Sequence, residues 1–139
     1  MSDLFSFGEK ILSAQPFSEL LGAQLVALEP GSVELAIDVR FDHKQQHGFV
    51  HGGVLSYLAD NALTYAGGSI LGNAVTSEFK INYLRPALGE RIIARAQVLS
   101  SGKRQAVCEC RIYALHEGEE LLVAAPNTCL LYTSPSPRD

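Results

Sequence analysis

One stretch of this sequence restricts the fold more than any other. From Gly52 to Ser77 there is no Lys, Arg, Glu or His, and one carboxylate, Asp60. Within it Leu55, Leu58, Ala59, Ala62 and Ala66 recur at helical spacing, which predicts a helix over 54–66. A helix apolar on almost every side should be enclosed on most sides. The rest of the chain supplies strands to enclose it. Val33, Leu35, Ile37 and Val39 alternate with Glu34, Asp38 and Arg40. Similar alternation predicts strands over 75–84, 91–99, 105–115 and 120–128, with a shorter one over 24–28. Turn signals separate them at Pro30-Gly31, Arg85–Gly89, Ser101-Gly102-Lys103 and Glu117-Gly118. Ahead of the strands, 3–14 reads as an amphipathic helix stopped by Pro16, and 17–21 as one further turn. One buried helix against a long antiparallel sheet containing a meander is an α+β arrangement.

Composition narrows the function classes. At 139 residues the chain suits one domain. Eleven Lys and Arg against 15 Asp and Glu give a net charge of −4. That balance argues against nucleic-acid or anionic-membrane partners, which call for a basic excess. Val54–Leu71 is the most apolar stretch, but Asp60 and several Gly, Ser, Thr and Asn residues make it a poor membrane span. The opening MSDLFSFGEK is acidic and lacks a long apolar run, unlike a signal peptide. Three cysteines are too few for a disulfide framework. Cys108 and Cys110, two apart on a strand, share one face and read as small core residues. A cytoplasmic location is the expectation.

Chemistry concentrates in His47-Gly48-Phe49-Val50-His51-Gly52-Gly53, which leads straight into the central helix. Gly52 and Gly53 either ease the start of that helix against the sheet or present free N–H groups to an oxyanion. Asp60 is either a solvated helix residue or a carboxylate kept for a role in an otherwise uncharged helix. It lies seven residues past Gly53, roughly 10 Å along the axis. One carbonyl therefore cannot touch both within one chain, and a shared site would take them from two subunits. His51 and His47 flank the glycines, where either can bind a carbonyl, steady the loop or pack. G-x-S-x-G, the phosphate-binding glycine motifs and H-E-x-x-H are all absent, so no metal site is expected.

These residues resemble the hotdog-fold acyl-CoA thioesterases, in particular their phenylacetyl-CoA thioesterase-like branch. The similarity runs from about Phe17 to Thr128 and centres on HGFVHGGVLSYLADNA, His47–Ala62, with FKINYLRPALGE, Phe79–Glu90, behind it. The resemblance implies a long central helix wrapped by five or six antiparallel strands, in a homodimer and often a homotetramer. It implies that Asp60 is the catalytic carboxylate, acting across the subunit interface from the Gly52 and Gly53 amides. Thr76 falls where the family often orients the nucleophilic water. Gln45 stands where the family commonly has Asn, six residues before the histidine of His51-Gly52-Gly53.

On this reading the substrate is an acyl-CoA with a small, medium or aryl acyl group, and no cofactor is needed beyond the CoA itself. Asp60 activates water or attacks directly. The acyl group lies near Tyr57, Asn61 and Thr64, and Arg85, Lys103 and Arg104 are candidates for the CoA phosphates. The alternatives are an acyl-CoA-binding hotdog module without turnover, and a hydratase or dehydratase, which calls for a different acid–histidine pairing. One feature falls outside the domain. Cys129–Asp139 reads CLLYTSPSPRD, and one back-translation of it is a transposase adapter used in sequencing libraries. The expected division is therefore 1–128 as the domain and 129–139 as a non-native tail.

Overall fold

The computed structural model describes residues 3–132. Two short helices, α1 (Asp3–Ser13) and α2 (Pro16–Leu21), precede strands β1 (Ala23–Glu29) and β2 (Ser32–Asp38). A loop containing one 3-10 turn, Phe41–His43, leads to the central helix α3 (Gly52–Leu71). Strands β3 (Ala74–Lys80), β4 (Arg91–Ser101), β5 (Gln105–His116), β6 (Glu119–Ala124) and β7 (Asn127–Tyr132) complete the fold. The sheet order is β1-β2-β4-β5-β7-β3, with β6 also paired to β5, and every pairing is antiparallel.

Among the described residues seven strands form where five or six are expected. The stretch expected as one strand over 120–128 is interrupted at Ala125-Pro126, since proline has no N–H to give a ladder. Its two parts lie end to end along β5. Residues Ile112–His116 pair with β6 and Gln105–Glu109 with β7. Cys110 N–H spans the gap to the Pro126 carbonyl at 2.9 Å. The same break shortens β3. Its ladder with β7 ends at the Lys80–Asn127 pair, and beyond it only an isolated bridge joins Tyr83 to Ala124. The expected meander is present as β4-β5-β6.

The inward stripe of α3 comprises Val54, Leu55, Leu58, Ala59, Ala62, Leu63, Ala66 and Gly67. It packs on inward residues of the sheet, among them Leu35, Ile37, Ile92, Ala94, Cys108 and Ile112. Cys108 and Cys110 lie in this core, where burial pushes their thiols up to about 11 and about 12. On the outer face Arg95 is held by Glu34 at 2.9 Å and Glu120 at 2.7 Å and lies over the Tyr113 ring. That clamp offsets Arg111, its direct cross-strand neighbour of like charge.

The central helix is less enclosed than its composition suggests. Asp60 and Ile70 are exposed, and Tyr57, Asn61, Thr64 and Gly68 are half-buried. The sheet covers one side of α3, and α1, packed on β1, meets α3 through the Tyr65 hydroxyl and a shared cavity. Cys129–Tyr132 form most of β7, and Leu130 is fully buried against α3. The remaining residues of the expected tail, 133–139, lie outside the described residues.

Candidate active site

The loop before α3 is fixed by His43. Its ring is buried, with Nδ1 accepting from the Arg40 N–H at 2.9 Å and Nε2 bonded to the Leu21 carbonyl at 3.0 Å. Its carbonyl accepts the His51 N–H at 2.8 Å, which sets the entry of the chain into the helix. His51 is the N-cap, extended at φ −60° and ψ 135°. Its Nδ1 accepts the Gly53 N–H at 2.8 Å, and its carbonyl accepts the Val54 N–H at 2.9 Å. A neutral imidazole accepting at Nδ1 carries its proton on Nε2 and can donate there. The Gly52 N–H has no acceptor among the described residues. Of the two amides expected to be free, then, one is free and the other is capped. The helix start offers the Gly52 N–H and the His51 Nε2–H.

Asp60 lies further along the same helix, exposed and outside any ion pair among the described residues. Thr76 of β3 donates its hydroxyl to Asp60 Oδ1 at 3.2 Å, so the two are brought together. The Thr64 hydroxyl donates to the Asp60 carbonyl at 2.8 Å. From Gly52 to Asp60 is eight residues of continuous helix, roughly 12 Å. The two halves also fall at different places along the sheet. Thr76 is opposite Leu130, whereas Tyr83, which packs on the helix start, bridges to Ala124.

A cavity of about 430 Å³ opens between α1 and the half-covered side of α3. Asn61 and Thr64 line it, and Tyr57 sits one turn back from Asn61. The Asn61 amide donates to the Tyr57 hydroxyl at 3.2 Å and to Gln15 Oε1 at 3.3 Å. Tyr57 in turn donates to Ser18 Oγ, which donates to Gln15. This network pins α2 to α3. Burial holds the Tyr57 phenol above its ordinary value, so it remains a proton donor.

The other expected residues are more dispersed. Gln45 is half-buried and its Oε1 accepts the His47 N–H, closing the turn that ends at Gly48, where φ is +89°. The Gln45 amide N–H₂ group is left over from that turn. His47 itself is exposed. Arg85, Lys103 and Arg104 are exposed and outside any ion pair among the described residues. Arg104 adjoins the end of β7 through its carbonyl and Tyr132, while the Arg85 N–H reaches Val123. The fold thus separates Arg85 from the Lys103-Arg104 pair within one chain.

Tyr83 was not singled out from the sequence. Its hydroxyl donates to the Gly52 carbonyl at 3.2 Å and bonds Ser56 Oγ at 2.8 Å. The signal is weak, an aromatic just after a strand, though it belongs to the segment Phe79–Glu90. His43 and Gln15 act on the site through loop and helix packing, which has no local sequence signature.

A family model described as the thioesterase superfamily matches residues 47–121. That segment holds His51, Gly52, Asp60, Thr76 and Tyr83. Acyl-coenzyme A thioesterase PaaI of Escherichia coli K12 is 33% identical over 96 residues, covering 68% of this chain and 69% of that protein. Among solved structures, a thioesterase family protein from Silicibacter pomeroyi superposes with a TM-score of 0.87 at 36% identity, over 92% of this chain and 96% of the other. The E. coli PaaI protein from the phenylacetic acid degradation operon superposes at 0.85 with 25% identity, over 94% of each chain. Sheet order, the glycine-started helix and the agreement of these relatives over nearly the full described length lead to one assignment: this chain belongs to the thioesterase superfamily and has its hotdog fold.

Proposed function

We propose that the protein is an acyl-CoA thioesterase that hydrolyses small, medium or aryl acyl-CoA thioesters to the free acid and CoA. The observation that carries this reading is the pairing of Asp60 with Thr76 on a helix whose start holds an unused N–H donor. The relatives named as acyl-CoA thioesterases support it.

The acting unit is a homodimer, with a dimer of dimers as its larger assembly. Strand β3 is one edge of the sheet, and Val75 through Glu78 are exposed. An open strand edge is a template for a second strand. Two copies paired antiparallel there reverse the direction of α3. The Gly52 end of one copy then meets the Asp60 end of the other, with the two-fold axis near Ser56, midway between them. The same reversal brings Arg85 of one copy toward Lys103 and Arg104 of the other, where they serve the CoA phosphates.

In the composite site the thioester oxygen accepts from the Gly52 N–H and the His51 Nε2–H. Asp60 of the other copy, oriented by Thr76, removes a proton from water as the water oxygen bonds to the carbonyl carbon. The oxyanion collapses, the C–S bond breaks, and the CoA thiolate leaves and is protonated. Direct attack by Asp60 forms a mixed anhydride instead, and labelled oxygen in the Asp60 side chain after one turnover in labelled water distinguishes it. The Gln45 N–H₂ group, left over from its own turn, helps to place the carbonyl. The acyl group lies beside Asn61 and Thr64, with Tyr57 behind them.

The reading calls for no metal and no cofactor besides the CoA of the substrate. Among the described residues no group of three or more His, Cys, Asp or Glu side chains is placed to hold a metal ion. No helix among them is long and apolar enough to cross a membrane. Free buried thiols suit a reducing compartment, and we place the enzyme in the cytoplasm.

Release of free thiol from a panel of acyl-CoAs in the presence of chelator tests the reading. Turnover is expected, with at least a hundredfold loss in a folded Asp60→Asn variant, about 2.7 kcal/mol in the barrier. No turnover of any acyl-CoA, or full turnover by Asp60→Asn, overturns it.

A further inference from the structure

Two adjacent glycines, Gly67 and Gly68, sit in the last third of α3. A glycine inside a helix costs about 1 kcal/mol relative to alanine. Gly67 has a packing reason. A Cβ there would run into Leu130 Cδ1 and meet Cys108 Sγ at 3.3 Å, so β7 could not lie so close to the helix. Gly68 has no such reason. A Cβ there would have no heavy atom within 4 Å.

What lies beside Gly68 is the cavity. Its opposite wall is α1, through Phe7 and Ile11. That wall is held in place. The Tyr65 hydroxyl donates to the Gly8 carbonyl at 2.7 Å, and a Cβ on Gly8 would come within 2.7 Å of Leu28. The cavity begins beside Asn61, the neighbour of Asp60, passes Gly68 and continues to Gly72 and Asn73. From Asn61 to Gly68 is seven residues, about 10 Å of helix. A zigzag of ~1.5 Å carbon–carbon bonds advances roughly 1.25 Å per carbon, so about eight carbons cover that distance.

We propose that Gly68 is a specificity-determining residue, and that its missing side chain lets a straight aliphatic acyl tail of more than about eight carbons pass between α3 and α1. This rests on the acyl-CoA thioesterase reading and deepens it. A tail shorter than that stops before position 68 and is indifferent to it. A longer tail runs past it and requires the open space.

The test is Gly68→Leu in the full chain, with Gly68→Ala as the smaller step. Two readouts are compared for butyryl and decanoyl tails: kcat/KM on the CoA thioesters, and Kd by calorimetry for the non-hydrolysable thioether analogues. For Gly68→Leu the butyryl values should stay within about twofold, and the decanoyl values should weaken at least tenfold, in KM and Kd rather than kcat. Gly68→Ala should fall between, and Tm should be unchanged or higher. Equal weakening of both tails, no weakening of the decanoyl tail, or a lower Tm with a changed oligomer mass each overturns the proposal. The calorimetric readout needs no turnover. A protein that binds acyl-CoA analogues but hydrolyses none refutes the proposed function while still deciding the role of Gly68.

Discussion

Replacing Gly52 by proline removes one atom group the mechanism needs and leaves the fold intact. Gly52 is the first residue of α3, the position where proline's fixed φ suits a helix and its missing N–H is not missed by the ladder. The residue before a proline must be extended, and His51 already is, at ψ 135°. A Cβ at position 52 would meet the Tyr83 ring at 3.6 Å, an ordinary contact. Stability should therefore hold or rise by about 0.4–1 kcal/mol, through the less flexible unfolded chain. Turnover should not hold. Loss of one oxyanion donor costs about 2.7–4 kcal/mol, or 10²–10³ in kcat. The His51 Nε2–H remains, so the lower end of that range is expected. KM should change little, since the donor works hardest on the developing charge. The assay is thiol release alongside thermal unfolding, with Gly52→Ala, which keeps the N–H, as a control near the parent. A folded Gly52→Pro enzyme within about threefold of the parent kcat would refute the role assigned to this amide.

Two further outcomes concern the scaffold. Gly67→Ala and Gly68→Ala gain the same helix propensity, but only the first meets Leu130, so their unfolding free energies should differ by about 1–3 kcal/mol in favour of Gly68→Ala. Equal values in chemical denaturation would contradict the placement of Leu130. Asp38 is held below the ordinary carboxylate range by its hydrogen bonds to Arg91 and Gln24, so its stabilisation is complete above pH ~4 and lost as pH falls through the lowered value. Asp38 is largely exposed and the effect small, but the stability gap between the parent and Arg91→Gln should close as pH is lowered from about 6 to about 2. A gap independent of pH would count against the pair.

The helix and most strands were legible because their signals are local. Leu55, Leu58, Ala59, Ala62 and Ala66 repeat at helical spacing, and Ile92, Ala94, Ala96 and Val98 alternate, so burial follows directly from period. The break at Ala125-Pro126 was missed although Pro126 marks it, because the strand that follows, Asn127–Tyr132, falls mostly in the segment set aside as a tail, and its pairing to β5 is what makes it a strand of its own. The enclosure of α3 was overestimated for a related reason. Composition reports that a face is uncharged without telling whether sheet, substrate or a second chain covers it. Asp60 stood out as the one charge in an apolar run, and the glycines stood out by adjacency to His51. That His51 caps Gly53 and leaves Gly52 free depends on a side-chain rotamer at the helix start, which no spacing rule conveys. Tyr83 reaches the site through a bridge to Ala124, a contact between residues 41 apart in sequence.

The claim on which the mechanism stands is that each site is built from two chains, with the amide from one and the carboxylate from the other. Subunit mixing tests it directly. Gly52→Pro and Asp60→Asn homodimers each have two impaired sites. A heterodimer of the two carries one site with both lesions and one with neither. Random exchange at equal concentrations makes half the dimers heterodimers, so about a quarter of the parent activity should appear. Native mass spectrometry on the same mixture establishes that exchange has occurred. Recovery toward that level is the predicted result. Confirmed heterodimers with no activity above the sum of the two variants would show that Gly52 and Asp60 do not act on one carbonyl across the interface.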